Sequence, residues 1–366
     1  MRLVMKVVLA IDSFKGCLTS QEANQAAKEG IRRVYPDAET VEIPVSDGGE
    51  GFMEAFHAAI GGELVEIIVR DPLMRPVAAR YLLQGEQAEG AGRVAVIEIA
   101  QASGLTLLTK EERNPMVATS FGTGQLVADA VRKGAEHIIV GLGGSATSDA
   151  GIGMLHALID AFGRSQWDEI EQLKHVRFTI ASDVKNPLCG ENGAAHVFAP
   201  QKGATPEMVR QLDERARKFA DISAKHFGYD RSDMEGAGAA GGLGYAFLQY
   251  MNAECKPGIQ LLLETIGFTE TVKDADLVMT GEGSADRQTM MGKLPMGILQ
   301  QSGGVPVGLI AGKISDRDQL LKAGFAYVEC INPEGIALEE AMRQEVAMQN
   351  ISDTVERILR NRLPDK

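Results

Sequence analysis

With 366 residues the chain exceeds the usual size of one domain, and 45% hydrophobic with 24% charged residues is the balance of a globular protein. A formal net charge of −13 argues against nucleic acid and acidic membrane surfaces as partners, while an anionic small ligand would need local lysine or arginine, or a metal ion. Four cysteines, at positions 17, 189, 255 and 330, lie far apart without a C-x-x-C pair, which excludes a zinc or dithiol motif and reads as reduced thiols in a cytoplasmic chain.

The apolar start MRLVMKVVLAI meets Asp12 and Lys15 with no small-residue cleavage site, so it reads as a buried strand over Val7–Ile11 and not as a signal peptide. Nowhere do about 18 apolar residues run together, and no membrane span is expected. A helix follows over Ser20–Val34 with Ser20 as its N-cap, then a strand over Thr40–Val45 and a helix over Phe52–Ile60. This strand–helix–strand–loop–helix order is that of a parallel, doubly wound sheet. The pattern changes at Glu63. Glu63–Val69, Val77–Leu83 and Arg93–Ile99 are strand-like and are separated by turn signals without a helix, which predicts an antiparallel or mixed sheet.

Alternation returns with a helix from Gly122, a buried strand in His137–Gly144 and a helix over Gly153–Phe162. Phe178–Ser182 and His196–Ala199 read as strands, and Pro206–His226 as the clearest helix. Leu277–Thr280, Val305–Ala311 and Tyr327–Ile331 bring back the opening pattern. The expected architecture is α/β in two domains. A discontinuous, Rossmann-like parallel-sheet domain (1–62 and 265–366) receives an inserted α/β domain with a mixed sheet (63–264), and the active-site cleft is expected between them.

Five glycine- or acid-rich loops stand at strand ends: Asp12–Gly16 (DSFKG), Ser46–Gly51 (SDGGEG), Gly141–Gly153 (GLGGSATSDAGIG), Ser182–Gly190 (SDVKNPLCG) and Gly281–Gly292 (GEGSADRQTMMG). In open α/β sheets ligands sit beyond the carboxyl ends of the strands, so these loops can converge on one site. A sixth stretch, Gly236–Gly244, opens a helix and can offer N–H groups to an anion. No P-loop is present, since GLIAGK at Gly308–Lys313 is one residue short and followed by Ile314. Gly236-x-Gly238-x-x-Gly241 matches a dinucleotide fingerprint in letters, but no strand precedes it. Neither Trp167 nor the histidines show catalytic spacing.

The acids carry the stronger signal. Asp12, Asp47, Glu50, Asp149, Asp183, Glu282 and Asp286 lie in or beside those loops. A single such Asp is an ordinary turn or cap residue. Seven gathered in one cleft would repel unless a cation offset them, and magnesium, which binds through one or two carboxylates plus substrate phosphates, fits. Glycine N–H groups facing phosphate, a metal ion and nearby lysines amount to the positioning and charge neutralisation that phosphoryl transfer needs.

Taken together, DSFKG, PVSDGGEG, TSFGTGQL, HIIVGLGGSATSDAGIGM, SDVKNPLCGENGAA, FAPQKGAT, GAGAAGGLG, KPGIQLL, ADLVMTGEG and GKLPMG resemble the type-I bacterial glycerate kinase family, in collinear order from about Lys6 to Ile331. The resemblance implies ATP- and magnesium-dependent phosphorylation of D-glycerate, usually at the 2-hydroxyl, in a two-domain α/β protein. In this chain Asp183 or Asp47 would orient or deprotonate the hydroxyl. Lys15 and Lys293 would neutralise phosphate or carboxylate, and Glu282 and Asp286 would hold magnesium. Asp12, Ser13, Gly48, Gly49, Glu50, Gly143, Gly144, Ser145, Asn186 and Gly283 would contact substrate or nucleotide. Two departures stand out. Ser284 occupies a position where the family usually has arginine, with Arg287 as a candidate replacement, and the stretch from Phe162 to Arg177 is shorter than in the family. Both bear on the acceptor, which leaves a kinase of another small hydroxy acid, or an inactive ligand-binding relative, as the alternatives. The partners expected are small molecules, with neither nucleic acid nor membrane, and the sequence is compatible with a homo-oligomer.

Overall fold

The structure, a computed structural model, describes residues 4–46, 51–85, 92–287, 289–291 and 293–362. Among these, eleven strands follow in chain order: β1 (Lys6–Ile11), β2 (Glu39–Glu42), β3 (Glu63–Arg70), β4 (Pro76–Leu83), β5 (Arg93–Glu98), β6 (Ala135–Gly141), β7 (Arg177–Ala181), β8 (Glu254–Lys256), β9 (Leu277–Ala285), β10 (Val307–Ile314) and β11 (Tyr327–Cys330). They form a five-stranded sheet in the order β11-β10-β9-β1-β2 and a six-stranded sheet in the order β3-β4-β5-β6-β7-β8. The chain divides into two compact units, Met1–Asp47 with Ile259–Lys366, and Gly48–Gly258.

The first unit holds the five-stranded sheet, parallel throughout. Its strands are buried on both faces, which is why β1 reads as an unbroken apolar run. Val7, Leu9, Ile11, Leu277 and Met279 point to one face, where helices Ser20–Arg32 and Gln344–Arg362 cover them with Ala23, Ala27, Ile31, Ile351, Val355 and Leu359. From β1 the chain steps outward to β2, and from β9 it steps the other way through β10 to β11. The loops after β1 and β9 therefore part at the point where strand order reverses, the usual ligand position in such sheets.

Helix Ser20–Arg32 is capped by Thr19, not by Ser20. Thr19 accepts the Glu22 N–H through its hydroxyl at 3.2 Å, while the Glu22 carboxylate takes the Thr19 N–H at 2.8 Å, a capping box. Ser20 serves the sheet instead. Its hydroxyl donates to the Ile11 carbonyl at 2.5 Å and accepts from the Val45 N–H at 2.9 Å. Buried Asn24 does the same one turn on, accepting from Ile11 N–H and donating to the Ile43 carbonyl, both at 3.0 Å. One helix thus pins the carboxyl ends of β1 and β2, where two of the predicted loops begin.

In the second unit β3, β4 and β5 are antiparallel and β5 to β8 parallel, the mixed sheet expected from the change of pattern at Glu63. Helix Phe52–Ile60, placed with the first domain by the sequence pattern, belongs to this unit: Met53 N–H donates at 2.7 Å to the Glu98 carboxylate at the end of β5. The predicted strand over His196–Ala199 is a helix, Ala194–Phe198. Ala195 and Ala199 are buried against Val209 and Leu212 of helix Pro206–Phe227 while Val197 between them is exposed, whereas a strand would put all three on one face.

Gly236–Gly244 does open a helix, Ala239–Met251, but Ala240, Gly241 and Gly242 all have left-handed backbone inside it. This kink lies against the loop after β6, where Ala150 N–H donates to the Gly241 carbonyl at 3.1 Å. A Cβ on Gly241 would stand 2.0 Å from the Thr147 carbonyl oxygen. We expect Gly241→Ala to destabilise the second unit by about 3 kcal/mol through backbone strain and overlap, visible as a lowered melting temperature. An unchanged melting temperature would contradict this account of the kink.

Candidate active site

A cavity of about 350 Å³ opens beyond the carboxyl ends of β1, β9, β10 and β11 in the first unit. Its polar lining comes from Asp12, Ser13 and Lys15 after β1, Glu282 and Ser284 on β9, Lys293, Lys313 on β10, and Asn332 after β11. Six of the sequence-predicted residues, Asp12, Ser13, Lys15, Glu282, Gly283 and Lys293, meet here. Asp286, the residue after β9, does not line the cavity.

The acids of this cavity are held in place. Asp12 follows β1 directly, its N–H bonded to the Gly281 carbonyl at 2.9 Å and its carboxylate accepting the Ser13 N–H at 2.7 Å. Glu282 lies within β9, not in the loop where the sequence pattern put it, because β9 continues to Ala285 beside β10. Its carboxylate accepts from the Thr289 hydroxyl at 2.6 Å, and that hydroxyl accepts the Asp286 N–H at 3.0 Å. Asp286 thus supports Glu282 through its backbone. The donor set is oxygen from Asp12 and Glu282, with lysine at the rim, which suits a hard cation that also takes substrate oxygens. Among the described residues no group of three or more His, Cys, Asp or Glu gathers as a metal cage.

A Cβ on Gly283 would meet Phe14 Cα at 3.8 Å and Lys15 N at 3.9 Å, ordinary contact distances. Packing within the chain therefore does not require glycine there. Lys313 is a lining cation that the sequence reading passes over, as it does Asn332; it lies beside Ser284 in the β9–β10 register, and its signal is the GLIAGK stretch, an incomplete P-loop. Arg287 is exposed and does not line the cavity.

In the second unit the loops after β6 and β7 carry Gly143, Gly144, Ser145, Asp183 and Asn186. Gly144 is exposed with φ +72°, and its carbonyl accepts the Leu105 N–H at 2.8 Å. Asp183 is exposed just past β7. Asn186 donates its side-chain amide to the Asn192 carbonyl at 2.8 Å, which spends one of its hydrogens on the loop itself. Asp149 is a structural acid: it accepts from the N–H and hydroxyl of Ser120 at 2.8 and 2.9 Å and from the N–H groups of Gly151 and Gly153 at 3.1 Å. Asp47, Gly48, Gly49 and Glu50 lie outside the described residues.

Glu98, at the end of β5, has no counterpart in the sequence reading. Its carboxylate is 7% exposed, and burial lifts it to about 7 against the pull of the Met53 and Phe52 N–H groups and the Gln101 side chain; the Glu54 charge adds to the rise. A lone acid closing the apolar run RVAVIE was its only signal.

A family model described as the glycerate kinase family matches residues 7–362. The chain is 43% identical to a glycerate kinase of Bacillus subtilis (strain 168), over 92% of this chain and 93% of that one. It is 40% identical to a glycerate 2-kinase of Escherichia coli (strain K12), over 85% and 86%. A crystal structure from Salmonella typhimurium LT2, of a protein provisionally named glycerate kinase 2, superposes with a TM-score of 0.81 at 37% identity, covering 97% of each chain.

Glu98 sets a pH dependence. Its carboxyl holds a proton more tightly folded than unfolded, so the stability it lends is full below about pH 4.5 and is lost as the pH rises through about 7. Glu98→Gln should remove that loss, on the order of 3 kcal/mol, so its melting temperature should fall less than the wild type's between pH 5 and pH 8. Parallel curves would show that Glu98 does not titrate in this window.

Proposed function

The chain belongs to the glycerate kinase family and is an enzyme of that family; on that premise we propose that it transfers the γ-phosphoryl group of ATP, with magnesium, to the 2-hydroxyl of D-glycerate. The observation that carries this reading is the cavity of the first unit, where Lys15, Lys293 and Lys313 share one lining with Asp12 and Glu282. Lysines beside carboxylates suit a polyanion that arrives with a metal ion, a combination that a purely apolar substrate would leave unsatisfied.

In this reading Lys15 and Lys293 neutralise phosphate oxygens, and the Gly283 backbone lets phosphate approach where a side chain would intrude. Glu282, steadied by Thr289, and Asp12 hold magnesium directly or through water, and Asp286 acts by keeping Thr289 in place. Bound magnesium supplies charge neutralisation between donor and acceptor oxygens. A carboxylate, Asp183 or Asp47, takes the proton of the substrate hydroxyl as its oxygen bonds to phosphorus and the bond from phosphorus to the leaving ADP oxygen breaks. Lys313, next to Ser284, supplies the cation that Ser284 lacks. Gly143, Gly144, Ser145 and Asn186 contribute to binding. The composition and the free cysteines support a cytoplasmic setting, and among the described residues no helix is long and apolar enough to cross a membrane.

A phosphorus NMR time course with ATP, magnesium and D-glycerate tests the activity. A new phosphomonoester resonance is expected, with coupling to a single proton for attachment at the 2-position and to two for the 3-position. No transfer by folded protein would point to another hydroxy acid as acceptor. Asp183→Asn should lower kcat by about a thousandfold or more with the melting temperature preserved. Near-normal turnover would remove Asp183 as the base and leave Asp47.

Gly283→Ala should change the stability by less than about 1 kcal/mol but raise KM for ATP severalfold or more. Unchanged kinetics would mean that no ligand approaches Gly283.

A further inference from the structure

Beneath the loop after β6 lies a cation for which the catalytic scheme has no use. Lys202 follows the helix Ala194–Phe198, is 2% exposed, and makes no ion pair with any described carboxylate. Its Nζ donates to the Thr147 carbonyl at 2.6 Å and to Ser145 Oγ at 3.4 Å. Burial pulls the ammonium down to about 7, with the charge of Asp149 acting in the opposite sense. Arg113, whose backbone lies against the adjacent Gly203, is a cation and offers no compensation.

A buried ammonium without an ion-pair partner is costly, and methionine would fill the same space without that cost. The surroundings are strained as well. Ala150 and Ala240 both hold φ of +53°, a conformation that L side chains adopt at a penalty, and they flank the same contact through the bond from Ala150 N–H to the Gly241 carbonyl. Ser145 Oγ accepts from Thr147 N–H at 3.1 Å as well as from Lys202. Its two lone pairs are then engaged and its own proton is left to give. Within the chain the proton has the Thr147 hydroxyl at 3.1 Å and the Thr147 and Ala240 carbonyls at 3.4 Å, the last two long bonds. Next to it, Gly144 is open to solvent.

We propose that Lys202 is a positioning residue for anion recognition at the Gly143–Ser145 turn: it fixes Ser145 as a hydrogen-bond donor and sets a positive charge beneath the point where a phosphate or carboxylate is held. This rests on the kinase reading, which supplies two anions, the nucleotide phosphates and the carboxylate of glycerate. An anion at the turn stabilises the ammonium form, so binding draws one proton from solvent where Lys202 is neutral and none where it is already charged. The sign follows: affinity weakens as the pH rises above about 7, and proton uptake is large at pH 8 and small at pH 6.

Calorimetric titration of the whole protein in two buffers of different ionisation enthalpy reads this directly, in separate arms with ADP plus magnesium and with D-glycerate. Uptake approaching one proton at pH 8 is expected in one arm, and the arm that shows it identifies the anion. Lys202→Met should abolish the uptake and weaken that ligand about tenfold, with a melting temperature equal to or above the wild type's. A merely structural lysine would instead lower the melting temperature and leave the proton balance alone. Binding without uptake in either arm, or equal uptake in Lys202→Met, overturns the proposal and leaves the kinase reading standing. Failure of folded wild-type protein to bind either ligand overturns both. Should Lys202→Met not fold, Ser145→Ala takes its place, with loss of uptake expected and retained uptake overturning the role of Ser145.

Discussion

The first unit depends on one pairing, β1 with β9. Strands drawn from opposite ends of the sequence run side by side from Val7 with Leu277 to Ile11 with Gly281, and the Thr280 hydroxyl closes on the Ala10 carbonyl 270 positions away at 2.8 Å. Everything functional in that unit follows from where this pair ends. Asp12 is bonded to the Gly281 carbonyl, so Asp12 leaves β1 beside Glu282 of β9, and the outward steps to β2 and to β10 leave the space between the loops after β1 and β9 unfilled. Parallel strands cannot be joined by a tight turn. The long intervening chain is accommodated as a separate unit with its own sheet and core.

The two units handle buried polar groups differently. In the first they are satisfied within the fold: Asn24 and Ser20 each serve two strands, and Thr289 stands between Asp286 and Glu282. In the second some are left under tension. Glu98 is held by helix N–H groups at a position that favours its proton, and Lys202 is held by a carbonyl and a hydroxyl at a position that disfavours its charge. Both sit at carboxyl ends of the parallel strands or under the loops that follow them, the side of such a sheet where ligands bind and where strain has a use.

Much of this was readable in advance where the signal is local. β1, the three strands after Glu63 and helix Pro206–Phe227 are written in apolar period and turn residues, and the mixed sheet follows from strands succeeding one another without helices. The short helix Ala194–Phe198 was misread because five residues show too little of a period to separate 3.6 from 2. Ser20 and Thr19 are chemically equal candidates for the cap, and only the Glu22 partner three residues beyond Thr19 decides between them. Glu282 was assigned to a loop because its glycine neighbours look like one, whereas pairing with β10 carries the strand through them. Lys202 and Glu98 were invisible for a deeper reason. A single charged letter does not reveal its depth, which is a property of everything packed around it.

Helix Gln344–Arg362 lies so close to helix Ser20–Arg32 that a Cβ on Gly30 would stand 2.4 Å from the Ser352 carbonyl oxygen. That helix is made after every strand it covers. Until it is made, the apolar row of Val7, Leu9 and Ile11 waits for a cover of nineteen residues. The inserted unit has its whole sequence available earlier and is free to fold while the first is still open. A stall or stop before this helix is made therefore leaves a bare sheet face for chaperones or proteases to find.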